Sequence, residues 1–203
     1  MLQSKKKSFN QIKIHSQYSI CEGALKIENL KEYCKKNKIQ SVGLSDTYNL
    51  SGALEFSENI SSVGTQPIIG SQVQFKFKNT YGLIPLIAKN YNGYKNIIEL
   101  SSKAYLENVD NDQPHCSIED LTKYSDGIIV LSGAINNLIG NMFNKGLFEE
   151  LDELITILNN NFKENFYLEI QRHGDKNEKE FEICNLNLSK KYEIPIIATN
   201  EVY

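Results

Sequence analysis

Short apolar runs alternate with longer amphipathic stretches along almost the whole chain. That alternation constrains the fold most, because strands and helices that take turns along a chain pack as a mostly parallel sheet flanked by helices. Residues 127–132 (GIIVLS) give the plainest case, a continuous β-branched run bounded by Asp126 and Gly133. Residues 12–15, 41–45, 67–77, 83–88, 166–170 and 195–199 also read as strands or extended segments. Helical spacing marks 27–38, 50–60, 94–105, 147–158 and 178–192; the first carries apolar residues at 27, 30, 33 and 34.

The strand–helix unit recurs about seven times, and no GxGxxG follows the first strand. Both points favour a barrel-like α/β fold over an open doubly wound sheet. In such barrels functional side chains gather at the carboxyl ends of the strands. The positions to watch are therefore 15–16, 46–47, 132–134, 171–173 and 200–203. The sequence stops directly after a strand, so the barrel is expected to be truncated before its last units. An incomplete barrel should expose apolar edges and aggregate readily.

Composition narrows the function classes. The chain has 203 residues, 40% hydrophobic and 23% charged, enough for one large domain with a sizeable core. A net charge of −3 gives no overall basic footprint for nucleic acid. No apolar run approaches the ~20 residues of a membrane helix. The start, MLQSKKKSF, lacks the apolar region of a secretory signal. The four cysteines are scattered without a CxxC pair and read as reduced thiols of a cytosolic protein. Residues 107–116 (ENVDNDQPHC) read as a polar surface loop.

Candidate chemistry is sparse. His15 ends the first strand, as a ligand or a structural histidine. Asp46 ends the second, as a ligand or a turn and cap residue. Glu22 sits in the loop after the first strand, as a donor or a solvated charge. Glu201 is the carboxylate nearest the last strand. His173 follows Glu169 and Gln171 and could bind phosphate or metal, or simply cap the strand end with Arg172. A multi-metal phosphoesterase holds paired ions ~3.5–4 Å apart with many His, Asp and Glu ligands. Three histidines are few for that task. No GxSxG or Walker loop is present, and Cys116 beside His115 lacks a third group.

Ordered blocks then point to a family. HSQYSICEGALKIENL, VGLSDTYNLSGALEF, QPIIGSQVQF, LIAKNYNGYKNIIELSSKAY, GIIVLSGAINNLIG, FYLEIQRHG and PIIATNEVY follow one another as in the PHP domain of bacterial DNA polymerase III alpha subunits. The resemblance runs from about Phe9 to Tyr203. It implies a single PHP domain over residues 1–203, with a distorted (βα)7-like barrel and the polymerase palm, fingers and thumb lying elsewhere.

The resemblance also places a metal site. Its first-strand His-x-His falls on Lys13 and His15, its Asp-Gly on Glu22 and Gly23, and its Asp-His on Asp46 and Thr47. Further ligand positions fall on Gln72, Leu83 and Ala134, and a closing Asp-x-His on Glu201 and Tyr203. Only His15, Glu22 and Glu201 keep a metal donor, with Asp46 close by. Lys13 puts a cation where a metal belongs, so it is expected to pair with Glu22, Asp46 or Glu201. No metal, cofactor or catalytic residue is then expected in this segment. Its implied role is structural and docking, alongside the rest of the polymerase chain, a proofreading exonuclease subunit and other replicase subunits. DNA, dNTPs and the Mg of the polymerase reaction would be bound mainly by other domains. The competing expectation is an active metal-dependent PHP phosphoesterase.

Overall fold

The sheet begins with β1 (Lys13–Ile14), β2 (Ser41–Thr47), β3 (Gln66–Phe77) and β4 (Thr80–Ala88), joined by α1 (Ile27–Asn37) and α2 (Ala53–Ser61). Next come α3 (Tyr91–Leu106), β5 (Cys116–Ser117), α4 (Ile118–Lys123), β6 (Ile128–Leu131), α5 (Leu138–Asn144) and α6 (Phe148–Phe162). The chain finishes with β7 (Phe166–Ile170), α7 (Glu178–Tyr192), β8 (Ile196–Ala198) and β9 (Glu201–Val202). This computed structural model describes residues 9–107 and 113–203. The amino-terminal stretch 1–8 and positions 108–112 of the polar segment lie outside the described residues.

The sheet path runs β8-β7-β6-β4-β3-β2-β1-β9, with β5 added beside β3. Neighbours are parallel except β3 with β4 and β4 with β6. The two end strands, β8 and β9, are separated in the chain only by Thr199 and Asn200. Three peptide units from Ala198 to Glu201 span at most ~11 Å. The sheet therefore curls into a half-barrel whose two edge strands approach at this junction without a β8–β9 pairing, giving the expected barrel-like α/β class. The Thr199 N–H donates to the Ile170 carbonyl at 3.1 Å, and the Gln11 amide donates to the Asn200 carbonyl, fastening the junction from both sides.

The strands alternate by face. Ile14, Val42, Leu44, Val73, Phe75, Ile84, Leu86, Ile128, Val130, Phe166 and Leu168 belong to the apolar layer under the helices. Their polar neighbours, including Lys13, His15, Gln72 and Glu169, are also buried, on the inner face of the curl. Helices cover the outside through apolar stripes such as Ile27, Leu30 and Cys34 of α1. Local chemistry sets their ends. The Asn90 side chain caps α3 by accepting from the Gly93 N–H, and Ser117 with Asp120 forms a capping box on α4. Gly93 must stay a glycine, because any Cβ there would collide with the Gly127 carbonyl.

Several elements differ from the sequence reading. β3 and β4 form one long antiparallel hairpin, turned by Lys78 in the left-handed region with φ 50°. The short helices α4 and α5 carry too few turns to show a period; burial of Ile118, Leu121, Leu138 and Ile139 holds them. All four cysteines are free thiols. No helix among the described residues is long and apolar enough to cross a membrane.

An apolar groove stays open near the β9 edge. It measures about 520 Å³ and is lined mainly by Phe9, Leu25, Tyr33, Ile39 and Val202. Exposed apolar surface of this kind captures hydrophobic dyes and partners. The chain is expected to enhance ANS fluorescence under native conditions, and Tyr33→Glu should lower that signal at least twofold. An unchanged signal in a folded Tyr33→Glu protein would assign the dye to another surface.

Candidate functional site

The carboxyl ends of the strands converge on one cavity of about 280 Å³. Each strand end singled out from sequence contributes to its wall: His15, Thr47, Ala134, Gln171 with His173, and Glu201 with Tyr203. Glu22, Gln72 and Leu83, three other positions of the implied ligand set, also line it. Register explains the gathering. β1 lies between β2 and β9, with Lys13 opposite Glu201 and Ile14 opposite both Leu44 and Val202.

Lys13 lies beneath the cavity floor and is fully buried. Its Nζ sits 3.0 Å from Glu169 Oε1 and 3.3 Å from Glu201 Oε2. The expected pairing with Glu201 is present. Pairing with Glu22 or Asp46 is not, and the packing gives the reason. Asp46 accepts from the Ser16 N–H at 2.6 Å, Ser19 Oγ at 2.7 Å and Ser16 Oγ at 2.8 Å, so it ties the loop after β1 to β2. Glu22 accepts from Thr47 Oγ1 at 2.6 Å and has a side chain 40% exposed.

Glu169 is the partner that sequence reasoning missed. Its Oε1 also accepts from Gln171 Nε2 at 2.6 Å and from Thr199 Oγ1, while its Oε2 is buried without a hydrogen-bond partner. The signal was present in Leu168-Glu169-Ile170-Gln171, where polar residues occupy alternate positions of a buried strand.

His15 is buried in the cavity wall and fully engaged. Its Nε2 lies 2.8 Å from Glu201 Oε1 and 3.0 Å from Gln72 Nε2. Its Nδ1 lies 3.2 Å from Ser19 Oγ and 3.3 Å from Thr47 Oγ1. The Tyr203 ring stacks on it, with centroids 4.5 Å apart and planes 16° from parallel. Gln72 donates to Glu201 and accepts from Asn137 Nδ2 at 3.2 Å. On the rim, Arg172 turns away to a two-point pair with Glu182, and the His173 N–H donates to Glu178.

These contacts set the electrostatics. Burial opposes ionisation of Glu201, but the His15 hydrogen bond, the Lys13 charge and the Gln72 amide together hold its carboxyl at about 2. Burial, with the charges of Glu201, Glu22 and Asp175, pushes the Tyr203 hydroxyl up to about 12.

The residues present do not fit a divalent metal centre. Among the described residues no group of three or more His, Cys, Asp or Glu side chains is disposed to hold an ion. Both oxygens of Glu201 are taken by Lys13, His15 and Gln72, and both oxygens of Asp46 by serines. Leu83 and Ala134 offer no lone pair to the cavity they line. The Lys13 ammonium, 3.3 Å from Glu201 Oε2, would repel a cation drawn to that carboxylate.

Known proteins share this arrangement of chain and strands. DNA polymerase III subunit alpha of Haemophilus influenzae is 32% identical over 197 residues, which covers 96% of this chain and 17% of that protein. The protein of the same name from Borreliella burgdorferi is 35% identical over 205 residues, covering 95% of this chain and 18% of its own length. The chain thus spans under a fifth of these relatives. An amidohydrolase structure from Chromobacterium violaceum, with bound sulfate and no metal, superposes with a TM-score of 0.58 at 10% identity. That match covers 96% of this chain and 87% of the other. A Bifidobacterium adolescentis structure, provisionally named a metal-dependent phosphoesterase, gives 0.61 at 12% identity, covering 95% and 87%. At such identity the likeness is one of fold. The PHP domain profile matches residues 11–173, which hold seven of the strands of the curled sheet, β1 to β7, and the chain therefore belongs to the PHP domain family.

Proposed function

We propose that this chain is the amino-terminal PHP domain of a replicative DNA-directed DNA polymerase III alpha subunit, with a structural and docking role and no phosphoesterase activity of its own. Residues 1–203 are read as one domain of a longer cytoplasmic chain. Similarity to DNA polymerase III subunit alpha over 96% of this chain supports the parentage. Lys13 carries the reading of the site. Its ammonium sits between Glu169 and Glu201, where it supplies the positive charge that buried carboxylates require.

Two-metal nucleotidyl transfer needs clustered carboxylates that bind Mg; here Glu201 and Asp46 are committed to Lys13, His15, Gln72 and serines, and no group of three or more acidic, His or Cys side chains among the described residues is disposed to hold an ion. That chemistry, with most contacts to DNA and dNTPs, belongs to other domains of the parent. The partners in this reading are the rest of the polymerase chain, a proofreading exonuclease subunit and other replicase subunits.

Metal analysis with a phosphatase assay tests the site. Purified chain dialysed against zinc and manganese is expected to keep well under one ion per molecule and to leave p-nitrophenyl phosphate and single-stranded DNA 3′ ends intact. More than one tightly held ion per chain, together with hydrolysis, would replace this reading with an active metal-dependent PHP phosphoesterase.

A further inference from the structure

Helix α3 lies on the outside of the barrel, far in role from the cavity, and carries an unusual solvent face. Its core side is ordinary: Gly93, Ile97, Leu100 and Ala104 are buried. The other side shows Tyr91 at 70% exposure, Ile98 at 37%, Tyr105 at 56% and Leu106 at 76%. Tyr91, Ile98 and Tyr105 are seven residues apart. On an α-helix such residues drift only ~20° per step, so the three form one straight stripe.

The stripe is symmetric about Ile98. We propose that α3 is a self-association surface, on which a second copy of this chain docks its own α3 antiparallel across a two-fold axis at Ile98. In that arrangement Ile98 meets Ile98 of the second copy, and each Tyr91 meets a Tyr105. A two-fold interface requires such self-complementarity, and a foreign partner does not.

The charges on the flank agree. Lys95 and Glu99 are exposed on the same side of the stripe, and neither forms a salt bridge with another described residue. Lys95 now rests over the Tyr91 ring at 5 Å range, 4.9 Å from its centroid. Antiparallel pairing about Ile98 brings Lys95 of each copy within ~3 Å, measured along the axis, of Glu99 on the other, given a 1.5 Å rise per residue. The result is two identical cross-pairs. A parallel or shifted pairing loses both them and the tyrosine match.

One helix face buries less than the ~800 Å² per partner of a standard stable interface. The dimer is therefore weak and reversible. Sedimentation velocity on the 203-residue chain, from about 5 to 500 µM, should show a monomer–dimer equilibrium in the upper part of that range. Ile98→Asp should raise Kd about tenfold or more. Lys95→Glu and Glu99→Lys should each weaken the dimer severalfold, since each places like charges across the axis twice. The double variant Lys95→Glu/Glu99→Lys should restore Kd to within about twofold, because it exchanges the signs without unbalancing them. Far-UV circular dichroism confirms that each variant is folded. A monomer at every concentration, a dimer indifferent to Ile98→Asp, or a double variant no better than the singles would each overturn the proposal.

Discussion

Replacing Lys13 with methionine is expected to remove about 3–5 kcal/mol of folding stability, the usual cost of breaking a buried ion pair from one side. The methionine fills nearly the same volume, so packing is not the main loss. What remains is a pair of buried carboxylates with no cation between them. Glu169 is the more exposed to this effect, since its Oε2 already lacks a partner. Urea unfolding of the wild type and Lys13→Met measures it directly. The triple variant Lys13→Met/Glu169→Gln/Glu201→Gln supplies the control, because neutral amides can keep many of the hydrogen bonds without needing a cation. Most of the lost stability should return in the triple variant. A Lys13→Met protein within about 1 kcal/mol of wild type would show that the ammonium does not hold the site together.

Acid should act on the same cluster through Glu201. Its carboxyl titrates at about 2 in the folded chain against an ordinary 4.5. A folded-state value below the unfolded one means that ionised Glu201 stabilises the fold. That contribution is complete above about pH 4.5 and fades as pH falls toward 2. Its size is on the order of 3 kcal/mol. Glu201→Gln should therefore be clearly less stable than wild type at pH 7, and the gap should close progressively between pH 4.5 and 2. A gap that stays constant over that range would separate Glu201 from the acid response. The Lys13 and Glu201 substitutions touch one network, so their effects will not add.

The sequence made the strands legible where chemistry was concentrated. The run Ile128–Leu131 admits almost no other reading, and Phe166–Ile170 was bounded as it is found. The antiparallel turn between β3 and β4 was hidden, because Lys78 and Asn79 carry none of the glycine signals of a tight hairpin. β9 was hidden as well: two residues hold no period, and only pairing with β1 makes Glu201 and Val202 a strand. In the site, His15, Glu22 and Glu201 could be named from motif positions, and all three line the cavity. Glu169 could not be paired with Lys13 in the same way. They are 156 residues apart, and only the curl of the sheet sets them across from each other.

The closure of that curl has a consequence in time. β1 leaves the ribosome well before its strand partner β9, since Lys13 and Glu201 are 188 residues apart. At ~5–20 residues per second, β1 waits on the order of 10–40 s for β9. Throughout that interval one side of β1 is an open strand edge, the kind that recruits wrong neighbours. A lysine on such an edge discourages them, because burying its charge without a partner is costly. Until Glu169 and Glu201 arrive to pair with it, Lys13 is therefore expected to disfavour wrong neighbours on that edge.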